Sequence, residues 1–257
     1  MAGSENPMLA TRALSLQAGP RILVERLDWS AAAGEFWCLL GPNGVGKTTL
    51  LRALAGVPPR PEVLLRGQAL SDWEPRELAR MRGLMPQQAH DAFSASVLEI
   101  ALLGRHPYLD AWAWESATDV ALARANLARA GMEAFATRDV LTLSGGERQR
   151  VALAQLLTQD PAVMLLDEPS SHQDLHHQIK VFDLLRDLAG AGKTLVAAVH
   201  DINLAARYAT HALLLDGTGG ATAGPVAEVL TPAHLTHIFG HPVRKIEDAG
   251  GSAFVPA

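Results

Sequence analysis

The apolar residues of this chain fall into short uninterrupted runs, and a stretch with helical spacing lies between two of them. Residues 36–40, 163–166, 195–199 and 212–215 are runs of four or five apolar residues, a length typical of buried strands. Residues 178–188 have the spacing of a helix. Strands that alternate with helices predict an α/β fold with a mainly parallel core sheet and helices covering it.

The segments around these runs differ in character. Before residue 40, short apolar runs broken by Gly and Pro predict strands and turns, which form a β part on the N-terminal side. Residues 97–103 and 118–130 are rich in Ala and Leu with helical spacing. We therefore expect a mostly helical subdomain over residues 89–143.

Composition is consistent with one globular domain. The chain has 257 residues, of which 48% are hydrophobic and 19% charged, so it contains enough apolar side chains to bury a sizeable core. We expect this single domain to span residues 8–257. Its expected parts are a core formed by residues 8–88 and 144–246, the helical subdomain, and a tail at residues 247–257. Residues 1–7 are expected to be a disordered tail that precedes the domain.

Charge and cysteine content argue against some classes of protein. The net charge of −5 disfavours a general nucleic-acid-binding surface. Cys38, the single cysteine, lies in an apolar run and is interpreted as a buried hydrophobic residue of a protein from a reducing compartment. Residues 1–7 do not resemble a signal peptide, and no run approaches the roughly 20 apolar residues that span a bilayer. A function at a membrane would therefore require a partner.

A glycine-rich stretch matches the P-loop pattern. It follows the predicted strand 36–40 and precedes a predicted helix that Gly56 terminates, which is the context that phosphate binding requires. Backbone N–H groups of such a loop point at phosphate oxygens, Lys47 reaches the β- and γ-phosphates, and the Thr48 hydroxyl is a ligand for Mg²⁺. An ordinary glycine-rich turn is the alternative. The predicted nucleotide-binding residues are Gly41, Pro42, Asn43, Gly44, Val45, Gly46, Lys47, Thr48 and Thr49.

Two carboxylates follow the apolar run 163–166. Asp167, at the end of the predicted strand, is expected to hold Mg²⁺, and Glu168 to polarise the attacking water. A solvated strand end is the alternative, which the P-loop upstream makes less favourable. Adjacent carboxylates with separate tasks require different environments.

The run Leu143-Ser144-Gly145-Gly146-Glu147 resembles the signature sequence of ATP-binding-cassette (ABC) ATPases. This resemblance implies that Ser144, Gly145 and Gly146, at the start of a helix, bind the γ-phosphate of ATP held by a second subunit. Physically, it is a helix N-terminus directed at an anion. A helix merely capped by Ser144 would account for the serine but not for the whole run.

Further motifs of this family are present. Gln87 resembles the Q-loop glutamine, which implies contacts with Mg²⁺ and water. His200 resembles the H-loop histidine, which implies contact with the γ-phosphate and orientation of Glu168. Residues 169–174 resemble the D-loop, with Asp174 crossing a dimer interface. The resemblance spans residues 8–246 and implies the P-loop NTPase fold of ABC ATPases, with an antiparallel β part and a helical subdomain.

The chain departs from the family pattern at two places. Gln173 stands where a leucine usually precedes the D-loop aspartate, which alters the expected contact across the dimer. The family commonly stacks adenine on an aromatic residue, and here the matching place, near Ala18, has none. We expect the base to rest on Arg21 or on an aliphatic surface, with weaker nucleotide binding as the result.

Within the family the chain resembles ATPase subunits of importers for iron-siderophores, haem and cobalamin. The resemblance lies in residues 97–100, 103–109, 171–172 and 177–178. It implies a dimer of two identical ATPase subunits and polytopic permease subunits that dock near residues 87–109. It also implies that a periplasmic-type binding protein acts on the chain indirectly, and that the chain is located on the cytoplasmic face of the inner membrane. The implied cofactors are ATP and Mg²⁺.

Several alternatives stay open. The aromatic residues Tyr108, Trp112 and Trp114 either anchor the permease interface or fill a small helical core. The ten histidines suggest metal sensing or, more simply, ordinary surface positions. The rival functions are a soluble ABC ATPase without a membrane partner and a small-molecule P-loop kinase, which would leave the signature run unexplained.

Overall fold

The computed structural model describes residues 7–87, 93–110, 113–171, 173–248 and 251–257. The strands are β1 (Leu9–Ala18), β2 (Arg21–Ala31), β3 (Phe36–Leu40), β4 (Val63–Leu65), β5 (Gln68–Ala69), β6 (Arg82–Met85), β7 (Val163–Asp167), β8 (Thr194–Ala198), β9 (His211–Leu215), β10 (Ala221–Pro225), β11 (Val243–Asp248) and β12 (Gly251–Pro256). The helices are α1 (Lys47–Leu54), α2 (Pro75–Met81), α3 (Val97–Leu102), α4 (Ala117–Arg129), α5 (Gly145–Gln159), α6 (Leu175–Gly190), α7 (Ile202–Tyr208), α8 (Val226–Val229) and α9 (Pro232–Phe239).

The core is a six-stranded sheet in the order β10-β9-β3-β8-β7-β6. All neighbouring strands are parallel except the edge pair β9 and β10, which confirms the predicted mainly parallel sheet. Strands β3, β7 and β8 are buried along their whole length, because helices and the second sheet cover both faces. The carboxyl ends of these three neighbouring strands therefore open onto one edge, where ligands bind in open α/β sheets.

A second, antiparallel sheet has the order β2-β1-β4-β5 and confirms the predicted β part. Its inward side chains, including Leu14, Leu16 and Val24, pack with α1 and one face of the core sheet in a single apolar cluster. This packing holds the β1–β2 turn above the end of β3. The N-terminal sheet thus lies beside the edge of the core sheet at which β3 ends.

The helical subdomain is built on α3, α4 and the start of α5. Ser96 and Ser116 cap α3 and α4, each in a reciprocal pair with the acidic residue three positions later. Buried side chains of the three helices form their own cluster, which includes Val97, Leu127 and Val151. The helices predicted at residues 97–103 and 118–130 are confirmed. In the described part of the chain, no helix is long and apolar enough to cross a membrane.

The C-terminal residues are folded, so the predicted tail at residues 247–257 is wrong. Strands β11 and β12 form an antiparallel hairpin that packs on α7. Phe254 is only 7% exposed, and its backbone N–H and C=O bond to the side chain of Asn203 at 2.7 and 3.2 Å. The Gly- and Ala-rich sequence has little strand character of its own, and contact with α7 orders it. The other predicted tail, residues 1–7, lies outside the described residues except for Pro7.

Candidate active site

The glycine-rich loop joins β3 to α1, as predicted. Gly41, Gly44 and Gly46 have φ angles of +146°, +72° and +114°, in the region that favours glycine. A Cβ atom on Gly41 would lie 2.6 Å from the carbonyl oxygen of Leu215, and one on Gly46 would lie 3.0 Å from Leu23. Close packing below the loop therefore requires glycine at both positions, and the loop's curvature is built into the fold.

Lys47 begins α1 and is 7% exposed. Its ammonium group donates hydrogen bonds to the carbonyl oxygens of Gly41 and Pro42 at 2.8 and 3.2 Å. Burial lowers the pKa of Lys47, and the negative charges of Glu168 and Asp167 oppose that shift. A buried cation at the end of a loop rich in N–H groups is suited to bind an anion such as a phosphate.

Asp167 ends β7 and is 3% exposed. Burial raises the pKa of its carboxyl group, and a hydrogen bond from the side chain of Thr48 counteracts the shift. A buried carboxylate beside a hydroxyl group offers the oxygen ligands that Mg²⁺ prefers. The described residues contain no cluster of three or more His, Cys, Asp or Glu side chains suited to a metal. Asp167 and Thr48 together fit a Mg²⁺ ion that takes its remaining ligands from phosphate and water.

Glu168 and His200 are 32 residues apart and form a hydrogen bond of 2.5 Å between Oε1 and Nε2. Glu168 has a φ of +52°, unusual for a residue other than glycine. Its backbone N–H donates to Ala198 at the end of β8, which turns its side chain away from Asp167. The neighbouring carboxylates thus have different surroundings, since one is buried by α1 and the other is bonded to His200.

Gln149 completes the hydrogen bonds around Glu168, and sequence reasoning did not identify it as a functional residue. It lies on α5 and its Nε2 donates to the backbone carbonyl oxygen of Glu168 at 2.9 Å. No local signal distinguishes it from other glutamines on this helix, because the contact depends on how α5 packs on β7.

These groups surround a cavity of about 540 Å³. It is lined by the loop residues 43–49, Gln87, Glu168, His200, Ala18 and Leu23. Gln87 and Thr48 also line an adjoining cavity of about 250 Å³ that reaches Asp167. The described lining contains no Phe, Tyr or Trp side chain, and Ala18 occupies the place where the sequence predicted that no aromatic residue would stack on the base. Arg21 donates to the carbonyl oxygen of Gly44 at 3.1 Å, so it lies beside the loop.

The signature residues lie elsewhere on the chain's surface. Ser144 caps α5 and is exposed, as is Gly145, whereas Gly146 is buried. Among the described residues, none of these three lines the large cavity. The structure brings together the other predicted site residues within one chain but leaves the signature residues outside the cavity, with Ser144 and Gly145 at the surface.

The D-loop is held within its own chain. Asp174 caps α6 by accepting hydrogen bonds from the backbone N–H and Nδ1 of His177 at 2.9 and 2.8 Å. Those bonds hold the pKa of Asp174 below its usual range. Gln173 donates to the carbonyl oxygen of Pro169 at 3.4 Å, and its own Oε1 is buried without a partner. His172 lies outside the described residues.

Of the three aromatic residues, the two that the structure describes, Tyr108 and Trp114, do not form a small core together. Tyr108 packs under the guanidinium group of Arg105 and donates to the carbonyl oxygen of Gln159 at 2.9 Å. Trp114 is 89% exposed, and Trp112 lies outside the described residues. Tyr108 therefore links the turn after α3 to the end of α5 through a hydrogen bond, while the Trp114 side chain is exposed to solvent.

Comparisons with known proteins bear on the whole chain. A family model described as ABC transporter matches residues 24–171. The hemin import ATP-binding protein HmuV of Ruegeria sp. (strain TM1040) is 40% identical over 245 residues, which are 92% of each chain. An inward-facing metal-chelate type ABC transporter structure aligns over 98% of both chains with a TM-score of 0.84 and 29% identity. The ADP- and phosphate-bound dimer of the ATP-binding cassette MJ0796 aligns over 85% of this chain and 99% of its own, with a TM-score of 0.75 and 27% identity.

Proposed function

Because this chain belongs to the ABC transporter family of ATP-binding proteins, we propose that it hydrolyses ATP to power the import of haem or a related iron chelate. The observation that carries the proposal is the bonded pair of Glu168 and His200, which faces the cavity formed by the glycine-rich loop. The names of the relatives support the cargo class, since one is a hemin importer and another a metal-chelate transporter.

The loop and Lys47 bind the phosphates of ATP, and Glu168 accepts a proton from the attacking water. The bond between the γ-phosphorus and its bridging oxygen then breaks, which leaves ADP and inorganic phosphate. His200 fixes the Glu168 carboxylate toward that water and contacts the γ-phosphate. Thr48, Asp167 and Gln87 would hold Mg²⁺, which when bound neutralises charge on the phosphate oxygens.

A complete site requires two copies of the chain arranged head to tail. Ser144, Gly145 and Gly146 of the second copy close over the nucleotide, because in one chain they are directed away from the cavity. Asp174 lies near the same interface between the two copies. The dimer of the similar cassette MJ0796 supports this arrangement. ATP drives closure only to the extent that the closed dimer binds it more tightly than the open one.

The membrane subunits dock near residues 87–109, of which the structure describes Gln87 and residues 93–109, and the closing motion is transmitted to them there. Phe93 and Leu103 are exposed there, and Trp114 lies close by in sequence, so apolar side chains are available for an interface. The chain is then peripheral on the cytoplasmic face of the inner membrane, and a periplasmic-type binding protein acts on it only through the permease.

The test is reconstitution with a permease. The chain is coexpressed with the polytopic membrane protein encoded next to it, and the purified complex is placed in proteoliposomes. We expect copurification and ATP-dependent uptake of hemin, with E168Q as the inactive control. If the chain does not copurify and hydrolyses ATP at full rate alone, it is a soluble ABC ATPase. Uptake of cobalamin but not hemin would correct the cargo.

A further inference from the structure

We propose that Gln149 is a positioning residue for Glu168 of its own chain, an inference that rests on the proposed function. Gln149 is 5% exposed, so its amide is a buried donor whose bond to the carbonyl oxygen of Glu168 is not in competition with bulk water. It does not line the nucleotide cavity, and it acts on the reaction through Glu168.

The backbone of Glu168 explains why a positioning residue is needed. At a φ of +52°, a residue with a side chain is strained, and surrounding contacts must compensate for that strain. The backbone N–H donates to the carbonyl oxygen of Ala198 at 3.0 Å. The carbonyl oxygen of Glu168 accepts from Gln149 at 2.9 Å and from the backbone N–H of Ser171 at 3.1 Å. Of these donors, Gln149 is the side chain that comes from another element, and it ties the strained peptide to α5.

Without Gln149, the carbonyl of Glu168 keeps only the local bond from the Ser171 N–H, so the peptide after Glu168 rotates more readily toward an ordinary backbone conformation. The carboxylate would then spend less time at the position from which it accepts the proton. A misplacement of about 1 Å at a reacting group can lower the rate by as much as 10²-fold. The residues that line the nucleotide cavity do not include Gln149. The inference therefore concerns turnover and not the affinity for ATP.

The first experiment compares Q149M with Q155M in the full chain. Methionine has nearly the volume of glutamine but no donor, and Gln155 is a half-buried glutamine on the same helix. For Q149M we expect kcat to fall about tenfold while KM for ATP stays within about twofold. This is the expected effect of losing one buried hydrogen bond that stabilises the transition state more than the ground state. Q155M should match the unsubstituted chain in both constants.

A second experiment separates positioning of Glu168 from support of the signature helix. In a mixed dimer of an S144R chain and an E168Q chain, one composite site stays complete, with Glu168 from the first chain and Ser144 from the second. Adding Q149M to the S144R chain should lower the remaining turnover about tenfold. Adding it to the E168Q chain should leave that turnover nearly unchanged.

The outcomes are distinct. Equal kcat for Q149M and Q155M, or a loss in the mixed dimer only when Q149M is on the E168Q chain, would overturn the role of Gln149. Equal losses from both placements would show a structural role in α5 instead. An inactive mixed dimer beside an active unsubstituted protein would show that the two composite sites close together, and the comparison of Q149M with Q155M would then decide the role of Gln149.

Discussion

Glu147 accepts hydrogen bonds from both the backbone N–H and the hydroxyl group of Ser144, each at 2.7 Å to its Oε2. These bonds hold the pKa of Glu147 below its usual range, so it is charged at neutral pH. The groups of Ser144 that would bind a phosphate are thus engaged by a carboxylate of the same chain. Glu99 makes the same pair of bonds to Ser96 at the start of α3, away from the cavity.

E147Q should strengthen ATP-driven dimer formation about three- to tenfold. The substitution keeps an acceptor for the N–H of Ser144 and removes a negative charge that would face the triphosphate of the partner. Analytical ultracentrifugation with ATP, in an E168Q background that prevents turnover, measures the dimer constant. E99Q is the matched control, because it alters an equivalent cap. If both variants shift the constant equally, the effect arises from helix stability and not from the site.

E168Q should lower ATP turnover by about 10²–10⁴-fold with nucleotide affinity retained. The amide keeps the size of the carboxylate but cannot accept the proton of the attacking water. Phosphate release gives the rate, and fluorescent-nucleotide titration gives the affinity. E133Q, at an exposed position remote from the lining of the cavity, is the control. Turnover within threefold of the original chain would remove Glu168 from its proposed role.

A18Y should lower the KM for ATP about tenfold and leave kcat unchanged. Ala18 lies on the cavity wall opposite the loop, and stacking of a base on an aromatic ring is worth ~1–3 kcal/mol. Steady-state kinetics over a range of ATP concentrations separates the two constants. A221Y, on the exposed edge strand β10, controls for general effects of an added ring. An unchanged KM would mean that the base lies elsewhere.

D167N should unfold at a temperature a few degrees higher and should lose activity. The pKa of Asp167 is raised by burial, so the folded state disfavours its ionised form, and stability falls as the pH rises from the unfolded pKa to the folded one. At neutral pH an amide removes that penalty but also a ligand for Mg²⁺. Differential scanning calorimetry and phosphate release measure the two effects. A lower unfolding temperature would show that the carboxylate stabilises the fold.

Local sequence determined the elements that carry the phosphate-binding chemistry. The apolar run 36–40 became β3, the loop after it became the turn into α1, and Ser144 became the cap of α5. Each depends on neighbours within a few positions, such as the conformational freedom of glycine or a side chain that caps its own helix. For this reason the motifs and their order sufficed to predict the fold class, and they named most of the residues that line the large cavity.

Tertiary structure alone decided the contacts between segments far apart in the chain. The bond between Glu168 and His200 exists because β8 lies beside β7, and the support from Gln149 exists because α5 packs across β7. The C-terminal hairpin likewise became ordered only against Asn203 of α7. Strand order and helix packing arise from the burial of whole faces, which is a property of the assembled chain. Residue spacing therefore did not specify these pairs, although the resemblance of His200 to the H-loop histidine had implied its contact with Glu168.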